Sequence, residues 1–301
     1  MSPTFRAAVV RTPGGPDAIE LIELPVTAPG PGEVRVAVAA ATVNPVDLST
    51  VGGLFHQLGL IHQPDHVGIG WDFAGTVAAA GAGVDLPVGT RVAGVLTGFD
   101  RDLGAYAEQL VVPAAAVAPV PDALDLPTAA TVGINGLAAS QLAELLGDGP
   151  GRLLITGAAG TVGAYLVPLA RDRGWQVTGL ARAEDEPFLR DLGAEFTTAP
   201  APGFDAVADA AALGGPALAL VRDGGTYLGV RPGMAPAAER DITVDVVETR
   251  PDTARLAELL DAAARGVLPT RVHAVVPLSE AAAAHRAVAK GGVRGKYVLA
   301  P

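Results

Sequence analysis

Apolar residues in the first third of the chain come in short, Val-rich runs, several alternating with polar residues at a period of two. "RAAVVRT" (6–12), "IELIEL" (19–24), "EVRVAVAAATV" (33–43), "FAGTVAAA" (73–80), "RVAGVL" (91–96) and "AEQLVV" (107–112) each read as a strand. Between them lie "PGGPD", "PGPGE", "GAGVDLPVG" and "VPAAAVAPVP", which are turn sequences. Strands in series without intervening helices predict a barrel-like β domain over residues 1–118.

Near residue 122 the period changes. "DALDLPTAATVGINGLAASQLAELLG" has an Asp, a first-turn Pro127 and a closing Gly, the punctuation of a helix. Strands and helices then alternate: "RLLIT", a helix at 161–173, "QVTGLA", a helix at 184–192, "EFTTA", "FDAVADA", a helix near 214–222, and "GTYLGV". This spacing predicts a parallel, doubly wound Rossmann sheet over 119–248. A helix, "DTARLAELLDAAARG", a strand, "TRVHAVVPL", a helix from Ser279 and a last strand, "GKYVLAP", resemble the first domain more than the second. The expected α/β architecture is therefore a nucleotide domain inserted in a discontinuous β domain of residues 1–118 and 249–301.

Composition removes several function classes. Half of the 301 residues are apolar but only 4% are aromatic, so the core is built from Ala, Val and Leu. A net charge of −11 without a basic cluster argues against nucleic acid or an anionic membrane as partner. With no cysteine there is no disulfide, thiolate metal site or cysteine nucleophile. The N-terminus carries charge where a signal peptide needs an apolar core, and the longest uncharged run, 126–143, is broken by Pro127, Gly133, Asn135 and Gly136. The expectation is a soluble, cytoplasmic protein acting on a small molecule.

The most informative segment is "GRLLITGAAGTVGAYLVPLARDRGWQVTGLAR". Its Gly157, Gly160 and Gly163 stand between a predicted strand and a predicted helix. Such glycines make a tight turn, admit a pyrophosphate to the backbone and pack helix on strand, while the helix N-terminus offers free N–H groups. Gly157, Ala158, Ala159, Gly160, Thr161, Val162 and Gly163 are thus candidate dinucleotide ligands. The second strand ends "TGLAR", with no acid before Arg182, which favours NADPH over NADH; Glu184, Asp185 and Glu186 follow closely enough to keep NADH open. Gly229 and Val230 end the fifth strand, where topology places the nicotinamide.

Eight pieces in order along nearly the whole chain carry a resemblance: "GGPDAIEL", "PGPGEVRVAVAAATVNPVD", "GWDFAGTV", "VGTRVAG", "GAYAEQLVVP", "AATVGINGLAA", "AAGTVG" and "RGKYVL". The chain resembles the zinc-free, quinone oxidoreductase-like medium-chain dehydrogenases/reductases. That resemblance implies a GroES-like catalytic domain around a Rossmann domain, NADPH, and a homodimer. It also implies hydride transfer to a quinone or an α,β-unsaturated carbonyl. It leaves two alternatives: a dedicated enoyl or tailoring reductase of polyketide-type biosynthesis, and an NADPH-binding protein with little turnover.

The zinc-dependent branch of the family has a Cys at about Asn44 and Gly-His-Glu at about Gly70-Trp71-Asp72. Here Asn44 and Trp71 replace two ligands, so no metal is expected despite the nearby His56, His62, Asp65 and His66. Pro64 lies between His62 and His66 and argues against a helix that would join them. Asn44 is the candidate donor to the acceptor's developing charge, or alternatively a loop-capping amide before Pro45. Relatives often place a Tyr shortly after this Asn; this chain has none, and His56 is the candidate stand-in as proton donor, or a half-exposed loop histidine. Asp47, Leu48, Phe55, Trp71, Thr131 and Asn135 are candidate pocket residues, with Asp47 holding its loop in shape. His273 and His285 read as structural, and "DITVDVV" as an edge for dimer pairing.

Overall fold

The computed structural model describes residues 3–301. By their contacts they divide into two compact units. One takes the chain up to Ile134 with Pro251–Ala264 and Arg271–Pro301; the other takes Asn135–Arg250 and Arg265–Thr270.

In the first unit β1 (Thr4–Val10) and β2 (Ile19–Pro25) pair antiparallel without interruption from Thr4↔Pro25 to Val10↔Ile19. β3 (Glu33–Thr42) runs into a turn at Asn44-Pro45 that starts helix α1 (Pro45–Val51), and a second short helix, α2 (Leu54–Gln57), follows. Pro45 suits the first helical position because its missing N–H has no partner there to lose. The chain returns as β4 (Val67–Gly68), β5 (Asp72–Ala80), β6 (Arg91–Val95), β7 (Gln109–Pro113) and β8 (Val117–Pro119).

Helix α3 (Leu126–Leu146) carries the chain from the first unit into the second. It is not continuous: Gly133, with φ −19° and ψ −116°, breaks it. The first unit reaches Ile134, whereas the strand pattern ends it at 118. The physical tie is β5, whose Asp72 carboxylate accepts the Ile134 N–H at 2.6 Å.

The second unit contains β9 (Gly151–Thr156), α4 (Thr161–Asp172), β10 (Trp175–Leu180), α5 (Glu186–Asp191) and β11 (Glu195–Thr197). Then come β12 (Phe204–Asp209), α6 (Gly215–Leu218), β13 (Val221–Gly229) and β14 (Thr243–Val246). The six strands lie in the order β11-β10-β9-β12-β13-β14 with every neighbour parallel. This is the doubly wound Rossmann order, with the chain reversing direction across the sheet at β9. The helix expected near 214–222 is a single turn. Val221 is already paired with Phe204, and Arg222 grips Asp205 at 2.7 Å, so the sheet claims the residues that local pattern assigns to a helix.

The tail adds α7 (Thr253–Ala264), β15 (Val272–Pro277), α8 (Ala281–Ala289) and β16 (Lys296–Ala300). β16 rejoins the first unit and completes its larger sheet, β15-β16-β3-β5-β6-β8, with β7 also on β3. It pairs antiparallel with β3 at Val298↔Thr42 and Leu299↔Ala41. Extending that register by two residues sets Lys296 against Asn44. Val34, Val36, Ile69, Phe73, Tyr106 and Leu299 are central to the core of this unit. No helix of the described residues is long and apolar enough to cross a membrane.

Candidate active site

The end of β3, the start of α1 and the start of β5 bring a set of polar side chains together inside the first unit. Thr42, Asn44, Asp47, Asp72, His285 and Lys296 are all at most 5% exposed, and Tyr106 is fully buried. Groups this deep must be paired with one another, and they are. Asp72 accepts from the Thr42 hydroxyl at 2.7 Å, from Asn44 Nδ2 at 2.7 Å and from the Ile134 backbone. Asp47 accepts from Asn44 N at 2.8 Å, Gly70 N at 3.2 Å and the Tyr106 hydroxyl at 3.0 Å. The same hydroxyl lies 3.2 Å from His285 Nε2.

Burial dominates the electrostatics. Desolvation raises the Asp72 carboxyl above its usual range, with the nearby Lys296 charge and three hydrogen bonds opposing it. It pushes Asp47 up to about 6, against hydrogen bonds from Asn44 and Tyr106. It brings Lys296 down to about 8, held from falling further by Asp72 and Asp47, and His285 down to about 4. The Tyr106 hydroxyl is driven well up by burial and by the Asp47 charge.

Asn44 has both ends of its amide engaged within the cluster. Its Nδ2 donates to Asp72 and, at 3.2 Å, to the Thr42 hydroxyl, while its Oδ1 accepts from the Lys296 ammonium. The two N–H bonds of the amide are spent inside the cluster. These bonds tie the turn that opens α1 to β3, β5 and β16. Asp47 accepts from Asn44 N and Gly70 N, joining the turn to the residues before β5.

A second group lies on the segment 54–101. Phe55 meets Phe99 with ring centroids 4.1 Å apart, and Phe99 meets Trp71 edge-on at 5.3 Å. The Arg101 guanidinium stacks 4.5 Å from the Trp71 ring. His56 stands beside Phe55 in α2, and its Nδ1 is buried without a partner. Leu48 is half-buried on α1. The Thr131 hydroxyl turns back onto the Thr128 carbonyl at 2.7 Å, and Asn135 is buried in the second unit. His62 is exposed and pairs with Asp100 at 3.3 Å. Among the described residues no group of three His, Asp or Glu side chains converges on a point that would hold a metal.

In the second unit the glycine turn has the geometry a dinucleotide needs. Gly157 has φ +57°, a left-handed conformation that favours glycine. A Cβ on Gly163 would sit 2.5 Å from the Gly157 carbonyl oxygen, so helix α4 can lie this close only without a side chain there. Gly160 is exposed at the N-cap and has no side chain to cap the first turn of α4, leaving the N–H groups there without a side-chain cap for an anion. Ala158 and Ala159 are buried beneath the turn, and Thr161 and Val162 are half-buried at the helix start. Arg182 is exposed just beyond the end of β10, while Asp185 is buried. Gly229 and Val230 line a small pocket with Ala212, Gly214, Tyr227 and Val246.

The chain matches the alcohol dehydrogenase GroES-like domain over residues 30–122 and the zinc-binding dehydrogenase domain over residues 191–299. It is 30% identical to a 2-haloacrylate reductase from a Burkholderia species, over 98% of both chains. The chain belongs to the medium-chain dehydrogenases/reductases. Within that family, a quinone oxidoreductase from Coxiella burnetii superposes with a TM-score of 0.87 at 26% identity, covering 99% of this chain and all of the other. An acrylyl-CoA reductase from Ruegeria pomeroyi is 36% identical over 58% of this chain and 52% of its own length. This dehydrogenase/reductase is thus of the quinone oxidoreductase-like type, an oxidoreductase with a GroES-like domain and a Rossmann sheet.

The donor set at the family's zinc position does not fit a zinc ion. Trp71 has no ligating atom, and the one ligating atom of Asn44, Oδ1, is taken by a lysine ammonium. Sequence reasoning gives no role to three members of the cluster, Thr42, Tyr106 and Lys296, although all lie in family-like pieces, "PGPGEVRVAVAAATVNPVD", "GAYAEQLVVP" and "RGKYVL". His285, which reads as structural in the sequence, lies beside the Tyr106 hydroxyl. The available signal was a single Lys opening an otherwise apolar final strand.

Proposed function

We propose that this protein is an NADPH-dependent, metal-independent reductase that delivers hydride to the activated double bond of a quinone or an α,β-unsaturated carbonyl. The observation that carries the reading is the glycine turn. An uncapped helix start and a glycine whose Cβ would press on the backbone of the turn lie at the reversal point of a six-stranded parallel sheet. The names of two relatives, a 2-haloacrylate reductase and an acrylyl-CoA reductase, support an activated alkene as acceptor.

The cofactor, when bound, supplies the hydride; the protein binds, orients and excludes water. The N–H groups at the start of α4 hold the pyrophosphate, and Arg182, exposed at the end of β10, takes the 2′-phosphate. The buried cluster keeps the loop from Asn44 to α2 in one conformation, so that residues carried on it meet the acceptor in a fixed geometry. His56 hands a proton to an enone carbon, whereas the oxygens of a reduced quinone take theirs from water.

The test is NADPH oxidation with 1,4-benzoquinone, 9,10-phenanthrenequinone and a simple enone. Turnover with at least one is expected; NADPH binding without turnover on any of them overturns the reading. Arg182→Ala should weaken NADPH binding while leaving NADH binding in place, and an unchanged preference would remove Arg182 from the phosphate site.

A further inference from the structure

Arg101 presents an uncommon situation for a charged side chain. Its guanidinium is largely desolvated, and burial lowers its affinity for its proton. Nη2 donates to the Gly70 carbonyl at 2.7 Å, Nη1 donates to the Gly98 carbonyl, and Nε is buried with no partner. Two of five N–H donors are engaged, both by neutral oxygens. Arg101 forms no ion pair among the described residues; the Asp47 charge acts on it, but that carboxylate is hydrogen-bonded to Asn44, Gly70 and Tyr106. A buried charge is normally paired, because leaving water without compensation is costly. Holding two carbonyls would not require a full positive charge.

The surroundings say what shape would complete it. The ring of Trp71 lies against the guanidinium, and the half-buried rings of Phe99 and Phe55 continue from it as a partly open aromatic wall. His56 Nδ1, beside Phe55, is a second buried nitrogen without a partner. Leu58 and Leu60, on the same segment, leave 61% and 43% of their surface exposed.

We propose that Arg101 and the Phe55–Phe99–Trp71 wall seat an anionic, flat, conjugated substrate, an α,β-unsaturated carboxylate, with the carboxylate on Arg101 and the conjugated carbons on the rings. This rests on the reductase reading above and narrows it. A carboxylate matches the planar fork of a guanidinium and supplies the missing charge. Arg101 then also faces the charge that grows on the same oxygens as hydride arrives.

The experiment uses matched probes that cannot be reduced. 3-Phenylpropionate and 3-phenylpropionamide have nearly the same shape, the acid carrying a charge and a second acceptor oxygen where the amide has an NH2, and both are tested as inhibitors of benzoquinone reduction by the NADPH-bound wild-type protein at pH 7. The acid is expected to inhibit about tenfold or more better than the amide, the size of one charge-assisted contact. In Arg101→Met that ratio should fall to near one, with the NADPH Kd as control for a folded nucleotide unit. An amide as potent as the acid in the wild type, or a ratio that survives in Arg101→Met, overturns the proposal. The wild-type comparison stands by itself if the variant does not fold. If benzoquinone is not turned over, the reductase reading is in question. The same two probes are then compared by quenching of Trp71 fluorescence in a Trp175→Phe background, which needs no turnover. An acid that quenches no better than its amide overturns the carboxylate seat alone.

Discussion

The ammonium of Lys296 donates to Oδ1 of Asn44, two residues separated by 252 positions and joined because β16 lies antiparallel on β3. An amide that accepts from a lysine on one side must present its N–H bonds on the other, and there they meet Asp72 and Thr42. The strand register thereby fixes the orientation of the side chain that opens α1.

Lys296→Met should be strongly destabilising, because it leaves Asp72 as a buried carboxylate with no compensating cation. The expected loss is roughly 3–5 kcal/mol, visible as a lower urea midpoint. Adding Asp72→Asn to the same chain should recover part of it. A double variant no more stable than the single one would show that the two charges act independently.

Gly133→Ala tests the break in α3. A Cβ there would lie 2.1 Å from Asp72 Oδ1, the oxygen that accepts the Ile134 N–H. The carboxylate must move and the amide loses its partner, for a cost of about 1–3 kcal/mol. Hydrogen exchange at the Ile134 amide should accelerate selectively; an unchanged rate would mean that the bond contributes little to protection.

His285 and Asp47 work against each other as pH falls. The unfolded chain protonates His285 near 6.5, while burial delays this in the fold to about 4. Between those values only the unfolded state takes the proton, so His285 removes stability as pH drops from 6.5 to 4, by roughly 3 kcal/mol at most. Asp47 has the opposite sign: its folded value near 6 exceeds the unfolded 3.8, so the fold gains a proton first and is favoured as pH drops through that window. Replacing His285 with Gln removes the first effect. The Tm deficit of His285→Gln relative to wild type should shrink between pH 7 and pH 4.5; a constant deficit would mean that His285 does not resist protonation.

The glycine turn separates binding from folding. Gly163→Ala places a methyl group against the Gly157 carbonyl, so it should lower both Tm and NADPH affinity, the latter by about tenfold or more. Gly160 is exposed, and a Cβ there would meet only the Gly157 oxygen, at 3.1 Å. Gly160→Ala should therefore weaken NADPH with a near-normal Tm. Equal effects on Tm from both would place Gly160 among the packing glycines.

Much of the architecture is legible in the chain because it is written in local periods. The strands of the first 113 residues and the alternation from β9 to β14 follow runs of Val and Ile with turn residues between them. Gly163 announces itself by spacing alone. The cluster is not legible, because the bonds that assemble it, such as Asn44 to Asp72 and Asn44 to Lys296, join residues 28 and 252 positions apart and no local pattern marks them. Asn44 is named as a site residue by the sequence, whereas its bonds to Asp72 and Lys296 are not visible there. Sequence shows which atoms an amide has, and only the packed register shows where they are spent. The short α6 departs from expectation for the same reason, since pairing with β12 overrides a local preference. Gly133 in the sequence is an obstacle to a membrane span, while in the fold it makes room for a carboxylate.

The contact between Lys296 and Asn44 also sets the terms for anyone engineering this scaffold. Installing Cys at 44 and His at 71 would restore two ligand types, yet a tethered cation would still stand against position 44. Turning this frame into a metalloenzyme is consequently a problem of charge replacement as much as of ligand supply, and its first step is the last strand of the chain.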